Sequence, residues 1–207
     1  PSEAPNPIPT QGTAKTFTTT ADGTYSLAEG EAKLFDGVSM APTTIEIDKN
    51  KKFQTIDGFG YAITYSSCYN LMKMNPEARL ALLKRIYSTT EGYGVSYARI
   101  SLGCNDFSST EYTYFELYSD ENNYVIPILK EILSINPSLK IIAAPWTCPK
   151  WMKVADIDTK TPKDSWTDGH LNPDYRETYA KYFVKFIKVM KEKGINIYAV
   201  SPQNEPL

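Results

Sequence analysis

The sequence predicts an α/β protein whose main body is the first half, strands 1–4, of a (β/α)8 TIM barrel. Three observations carry this expectation. From Phe53 onward, short β-rich runs alternate with longer amphipathic ones in the order βαβαβαβ. That order requires parallel strands joined by right-handed crossovers. The segments that follow the strands are rich in polar and aromatic residues: 105–118, 146–166 and 203–205. Barrel sites are assembled on those loops. An open doubly wound sheet has the same element order, but no Gly-rich phosphate fingerprint is present. Gly58-Phe59-Gly60 is a lone GxG without the third glycine that precedes a helix.

The elements follow in order. Residues 1–14 contain Pro, Thr and Gly and read as a linker. Such a start is compatible with a secreted, periplasmic or surface-anchored protein. Residues 15–50 hold β-formers: Lys15–Thr20 and Thr24–Leu27 flank Asp22-Gly23, a hairpin turn signal, and Thr43–Asp48 is a further β-like run. Residues 51–207 carry the half barrel. Its first strand is expected within Gln54–Thr64. A helix then opens at Asn75-Pro76-Glu77, where Asn can accept from free N–H groups and Pro fits the first turn. Val95–Leu102 is the second strand. A helix bearing Val125, Ile128, Leu129 and Ile132 ends at Asn136-Pro137. Leu139–Ala144 is the third strand. Asn172-Pro173-Asp174 starts the longest helix, with Tyr175, Tyr179, Tyr182, Phe183, Phe186, Ile187 and Met190 at steps of three and four, and Gly194 closes it. Ile195–Ser201 is the fourth strand.

Composition removes several function classes. The 207 residues carry 22 Lys and Arg against 24 Asp and Glu, and no basic block suggests a nucleic-acid partner. No apolar run is long enough for a membrane span. Cys68, Cys104 and Cys148 are far apart, without zinc-ligand spacing, and read as small buried hydrophobes. Aromatics stand at 13% with 15 Tyr. Rings in that number serve either as core filling or as stacking surfaces.

A few residues could carry chemistry. Glu205 follows the fourth strand in Gln203-Asn204-Glu205-Pro206, and Pro206 stops the strand and disfavours a helical Glu205. A glutamate fixed at a barrel rim beside an amide suits the acid that protonates a glycosidic oxygen. The other reading is a solvated acid in a surface turn. Strand alternation puts Val95, Tyr97, Arg99 and Ser101 on one face and Ala98, Ile100 and Leu102 on the other. The second set suits outer helices, so Arg99 is expected to point into the barrel. A buried arginine needs a partner, and Asp106 is the candidate partner or neighbour. Trp146, Trp151 and Trp166 share the long loop after the third strand, as sugar platforms or as core. His170, the lone histidine, reads as a surface residue before the long helix. The lysines at 181, 185, 188, 191 and 193 read as a solvated helix face.

Taken together, QTIDGFGYAIT (54–64), YARISLGCNDFSSTEYTY (97–114), LKIIAAPWTCPKWMK (139–153), YAKYFVKFIKVMKEKGI (179–195) and YAVSPQNEP (198–206) make the chain resemble family 30 glycoside hydrolases, the glucosylceramidase and endo-β-1,6-glucanase-like family. The resemblance implies a retaining β-glycosidase acting by double displacement, without metal or organic cofactor. Glu205 matches the family's acid/base. Asn204 matches the asparagine that binds the sugar 2-hydroxyl. Arg99, Asp106 and Trp146 match residues lining the pocket on the non-reducing side of the scissile bond. The nucleophile, a glutamate ending the seventh strand, would lie beyond Leu207, so these 207 residues alone are expected to be inactive. The resemblance also implies a β-sandwich side domain to which residues 15–50 contribute. The expected partner is a carbohydrate or glycolipid substrate, a β-1,6-glucan ahead of glucosylceramide or a xyloside. A non-catalytic carbohydrate-binding relative, or another hydrolase on the same barrel, are the alternatives. Tyr65 stands where many relatives have Asp, and Tyr61 where a small residue is frequent. Both substitutions are expected to bear on the shape of the pocket.

Overall fold

The computed structural model describes residues 10–35, 43, 45–112 and 115–205. Most of the linker segment, Thr44, Pro206 and Leu207 lie outside the described residues, and so do the expectations that fall on them. The chain forms two compact units, Pro1–Gln54 and Thr55–Leu207.

In the first unit, β1 (Thr10–Thr18) pairs antiparallel with β2 (Ala28–Phe35). The hairpin expected around Asp22-Gly23 is present, but its strands lie further out. Asp22 accepts from the Thr24 N–H at 3.0 Å, the Thr24 hydroxyl at 2.8 Å and the Thr20 hydroxyl at 2.5 Å. These bonds hold its carboxyl down at about 2 and draw Thr24 into the turn. The run Thr24–Leu27 is therefore connection, not strand, and β1 begins at Thr10, inside the segment expected as linker. No strand occurs among the described residues of 43–48.

The second unit is a four-stranded parallel sheet with helices on one face. Its elements are β3 (Gly60–Ala62), α1 (Tyr65–Lys73), α2 (Pro76–Tyr87), β4 (Tyr97–Ser101), α3 (Ile126–Ile135), β5 (Lys140–Ala144), a small ribbon of β6 (Lys153–Val154) and β7 (His170–Leu171), α4 (Arg176–Glu192) and β8 (Ile197–Val200). The sheet order β3-β4-β5-β8 is the one that successive βα units give. Asn75 caps α2 as expected, while Asn172 caps a 3₁₀ turn, Pro173–Tyr175, that leads into α4; each accepts from the N–H two residues on. Gly194 takes a φ of +82° and turns the chain out of α4.

Three expectations need correction. Strand β3 is only three residues of the run Gln54–Thr64. The Thr64 hydroxyl accepts from Ser67 N and starts α1, a helix not expected from the sequence. And α3 is preceded by a π-helical turn, Glu121–Val125. Gly60 also has a role its sequence context did not reveal. A side chain there would collide with the Tyr97 carbonyl, so the glycine lets β3 lie against β4.

The core lies between the sheet and its helices. Ala98, Ile100, Ile141 and Ala143 of the strands, with Leu102 just after β4, meet Leu83, Ile128, Leu129, Ile132, Phe186 and Met190 of the helices. The lysines at 181, 185, 188, 191 and 193 are all exposed. Cys68, Cys104 and Cys148 are buried free thiols. On the opposite face Tyr97, Arg99 and Ser101 pair in register with Lys140, Ile142 and Ala144. The Lys140 ammonium stands 5.2 Å from the Tyr97 ring and 4.7 Å from the Tyr198 ring. This aromatic–cation layer forms the lower tier of the face, with Arg99 one tier higher toward the C-terminal ends of the strands. No helix among the described residues is long and apolar enough to cross a membrane.

Candidate active site

A cleft of about 290 Å³ opens at the C-terminal ends of the strands. Each of its walls comes from a different βα connection. Ala62, Ile63 and Thr64 come from the end of β3, and Asn105, Asp106 and Phe107 from the loop after β4. Trp146 comes from the loop after β5, and Asn204 and Glu205 from the segment after β8. All five expected site residues, Arg99, Asp106, Trp146, Asn204 and Glu205, line this one cleft.

Arg99 projects as alternation predicts, since its neighbours Ala98 and Ile100 are buried against the helices while Arg99 faces the cleft. Its Nη2 donates to Asn204 Oδ1 at 2.5 Å. Arg99 thus links the second strand of the sheet to the fourth and fixes the amide beside Glu205. Asp106 shares the cleft, but no ion pair joins it to Arg99 among the described residues. The partner of Arg99 is the amide.

The loop carrying Asp106 is held from several sides. Asn105 Nδ2 donates to Ser101 Oγ at 2.8 Å, and Asn105 Oδ1 accepts from Phe107 N at 2.8 Å. Ser66 Oγ donates to the Phe107 carbonyl at 2.9 Å. Asp120, 2% exposed, accepts from Ser109 N at 2.7 Å and Ser109 Oγ at 2.5 Å. Glu121 accepts from Tyr118 N at 2.9 Å and is hydrogen-bonded by the Tyr112 side chain. Burial pushes the Glu121 carboxyl up to about 7. Gly103, at φ +81°, starts the loop where a side chain would strike the Tyr182 hydroxyl.

Trp146 is braced by Trp166, their ring centroids 5.5 Å apart. The buried Lys153 ammonium donates to the Trp166 carbonyl at 2.8 Å, and burial lowers its pKa. A second hollow, about 480 Å³, continues past Glu205 and is lined by Thr147, Lys153, Asp168, His170 and Gln203. His170 is at the surface, as expected, yet it lies on the same hollow as Glu205.

The sequence did not single out Asn105, Asp120, Glu121 or Lys153. The Asn105-Asp106 pair after a strand was the visible signal for the first. The others act through contacts that form only in the folded loops: Asp120 with Ser109, Glu121 with Tyr112, and Lys153 with the Trp166 carbonyl. Neither Tyr61 nor Tyr65 lines the Glu205 cleft itself; Tyr65 lines a small adjoining hollow that shares Thr64, Ser101 and Asn105 with it. The Tyr61 ring lies 6.2 Å from Tyr87 of α2, and Tyr65 packs edge-on to Tyr124 at 5.3 Å.

Comparison with known proteins gives a consistent placement. Residues 56–207 match the family model described as the glycosyl hydrolase family 30 TIM-barrel domain. The chain is 32% identical to putative glucosylceramidase 1 of Caenorhabditis elegans over 95% of its own length and 39% of the relative's. It is 30% identical to endo-1,6-beta-D-glucanase BGN16.3 of Trichoderma harzianum, over 100% of this chain and 46% of that one. Among solved structures, the endo-beta1,6-glucanase BT3312 is 50% identical with a TM-score of 0.77, over 95% of this chain and 44% of that one. The chain therefore spans less than half the length of these relatives. The chain belongs to glycosyl hydrolase family 30.

Proposed function

We propose that the whole protein is a retaining O-glycoside hydrolase that cleaves β-glucosidic bonds by double displacement. The observation that carries this reading is the convergence of Arg99, Asp106, Trp146, Asn204 and Glu205, from three separate βα connections and one strand, on a single cleft. In the proposed reaction the sugar on the non-reducing side of the bond sits over Trp146, with Asp106 and Arg99 beside its hydroxyls and Asn204 at its 2-hydroxyl. Glu205 protonates the glycosidic oxygen as a second carboxylate attacks the anomeric carbon. Glu205 then takes a proton from water, which displaces that carboxylate and restores the starting configuration. The second carboxylate is proposed to be a glutamate ending a seventh strand, roughly 5–5.5 Å from Glu205. The half barrel and its side domain are read as parts of that larger whole, and an exported location is proposed with them.

Identity of 50% to a solved endo-β1,6-glucanase supports β-1,6-glucan over glucosylceramide as substrate. The test is kinetic. In the full-length protein, Glu205→Gln should still release dinitrophenol from an activated aryl β-glucoside but lose cleavage of poor leaving groups by at least about a hundredfold. Product analysis on β-1,6-glucan and glucosylceramide then separates the substrates. A protein that releases no phenol from any aryl β-glycoside is the non-catalytic relative instead.

A further inference from the structure

A groove of about 350 Å³ shares no lining residue with the cleft of Arg99 and Asp106, and meets the hollow past Glu205 only at the buried Lys153. Glu111, Lys150, Trp151, Lys163 and Asp164 are among the residues that line it. Trp151 sits in a short 3₁₀ turn, Lys150–Met152, anchored by the fully buried Met152. The residue is 46% exposed, yet its ring is braced by Phe115 at 6.0 Å and, edge-on, by Tyr175 at 5.3 Å. A braced indole is a rigid platform that loses little entropy when something stacks on it.

The charges around the platform limit what can bind. Lys150 Nζ lies 2.9 Å from Glu111 and 3.4 Å from Asp164. Lys163 lies 2.8 Å from Asp168, and the Lys153 ammonium serves the Trp166 carbonyl. Lys150 and Lys163 are ion-paired and Lys153 is buried, so among the described residues the groove presents no unpaired surface ammonium to a phosphate or an acidic polymer. A lipid tail would have to bury these ion pairs without replacing their water. A neutral, polyhydroxylated chain meets both demands: its C–H faces cover the indole, and its hydroxyls bond to the paired carboxylates and ammonium groups.

We propose that this groove is a second carbohydrate-binding site, which holds a neutral glucan chain apart from the cleft where bonds are cut. The choice of a β-glucan rests on the reading of the Glu205 cleft given above. The site itself rests on the Trp151 groove.

The test is affinity electrophoresis of the full-length protein carrying Glu205→Gln, through gels with and without soluble β-1,6-glucan. A non-hydrolysable aryl β-thioglucoside is present to fill the cleft. Retardation should persist under the thioglucoside. It should weaken about tenfold with Trp151→Ala, equivalent to ~1.4 kcal/mol. Asp164→Arg, at a highly exposed side chain that leaves the core intact, should weaken it as well. Trp151→Phe should retain part of the effect, and a carboxymethylated glucan should retard less than the neutral one. Absence of retardation in the parent, its abolition by the thioglucoside, or indifference to both Trp151→Ala and Asp164→Arg each overturns the proposal. Hydrolysis of an aryl β-glucoside, measured with Glu205 restored, should be unchanged by Trp151→Ala. That assay reports on the cleft alone, so the two readings fail separately.

Discussion

Asp120 is a buried group that ties down the loop carrying Asp106. Its carboxylate accepts two hydrogen bonds from one residue, Ser109, three positions after Asp106. Asp120→Ala leaves the Ser109 N–H and hydroxyl without their acceptor. Hydrogen bonds to a charged group contribute about 1.5–3 kcal/mol each. Removing a carboxylate that is 2% exposed also recovers part of its desolvation, so the net loss should be about 2–4 kcal/mol. Ser109→Ala removes only the hydroxyl bond and should cost about 1.5–2 kcal/mol. The double variant should be less destabilised than the two singles added together, by about the same 1.5–2 kcal/mol. Denaturant unfolding of the full-length protein supplies these values. Aryl β-glucoside kinetics supply the functional readout. A displaced Asp106 should lower kcat/KM by between about ten- and a hundredfold, the range expected when a positioning contact slips by about an ångström. Additive stabilities with kcat/KM within about twofold of the parent would refute the view that Asp120 positions the loop.

Two further outcomes follow from the structure. Glu121 holds its proton up to about 7 because it is buried, against an ordinary 4.5. The stability this supplies is complete below the unfolded value and is lost as pH rises through about 7. Glu121→Gln should therefore gain relative to the parent between pH 4.5 and 8, by up to about 3 kcal/mol; parallel stability–pH curves for the two proteins would contradict this. Gly60→Ala should push β3 off β4, with a loss of about 1–3 kcal/mol seen as a lower Tm. An unchanged Tm would mean that the strands do not approach so closely.

The sequence revealed the repeating βα order and the faces of the elements better than their ends. Periodicity survives in α3, whose Ile128, Leu129 and Ile132 are fully buried, and in β4, where Arg99 alternates with Ala98 and Ile100. These patterns are visible because burial repeats with the period of the backbone. Asn75 and Asn172 were legible because capping is a local interaction. Helix α1 was not, since its cap, Thr64, reads equally well as the end of a strand. The hairpin ends were set by bonds that the Asp22 carboxylate accepts, which propensity does not register. The site divides in the same way. Arg99 stands within a strand, and Trp146 and Glu205 on the segments that follow strands, which periodicity locates. Asp120 and Lys153 act on loops distant in sequence, and only the folded chain brings them there.

The most direct measurement is the reaction of full-length Glu205→Ala with an activated aryl β-glucoside in the presence of azide, followed by NMR. With the acid/base removed and the second carboxylate intact, azide should speed turnover and yield the β-glucosyl azide, while the parent protein should first release the β-anomer of the sugar. An α-glucosyl azide, or activity in Glu205→Ala equal to that of the parent on substrates with poor leaving groups, would contradict the role assigned to Glu205.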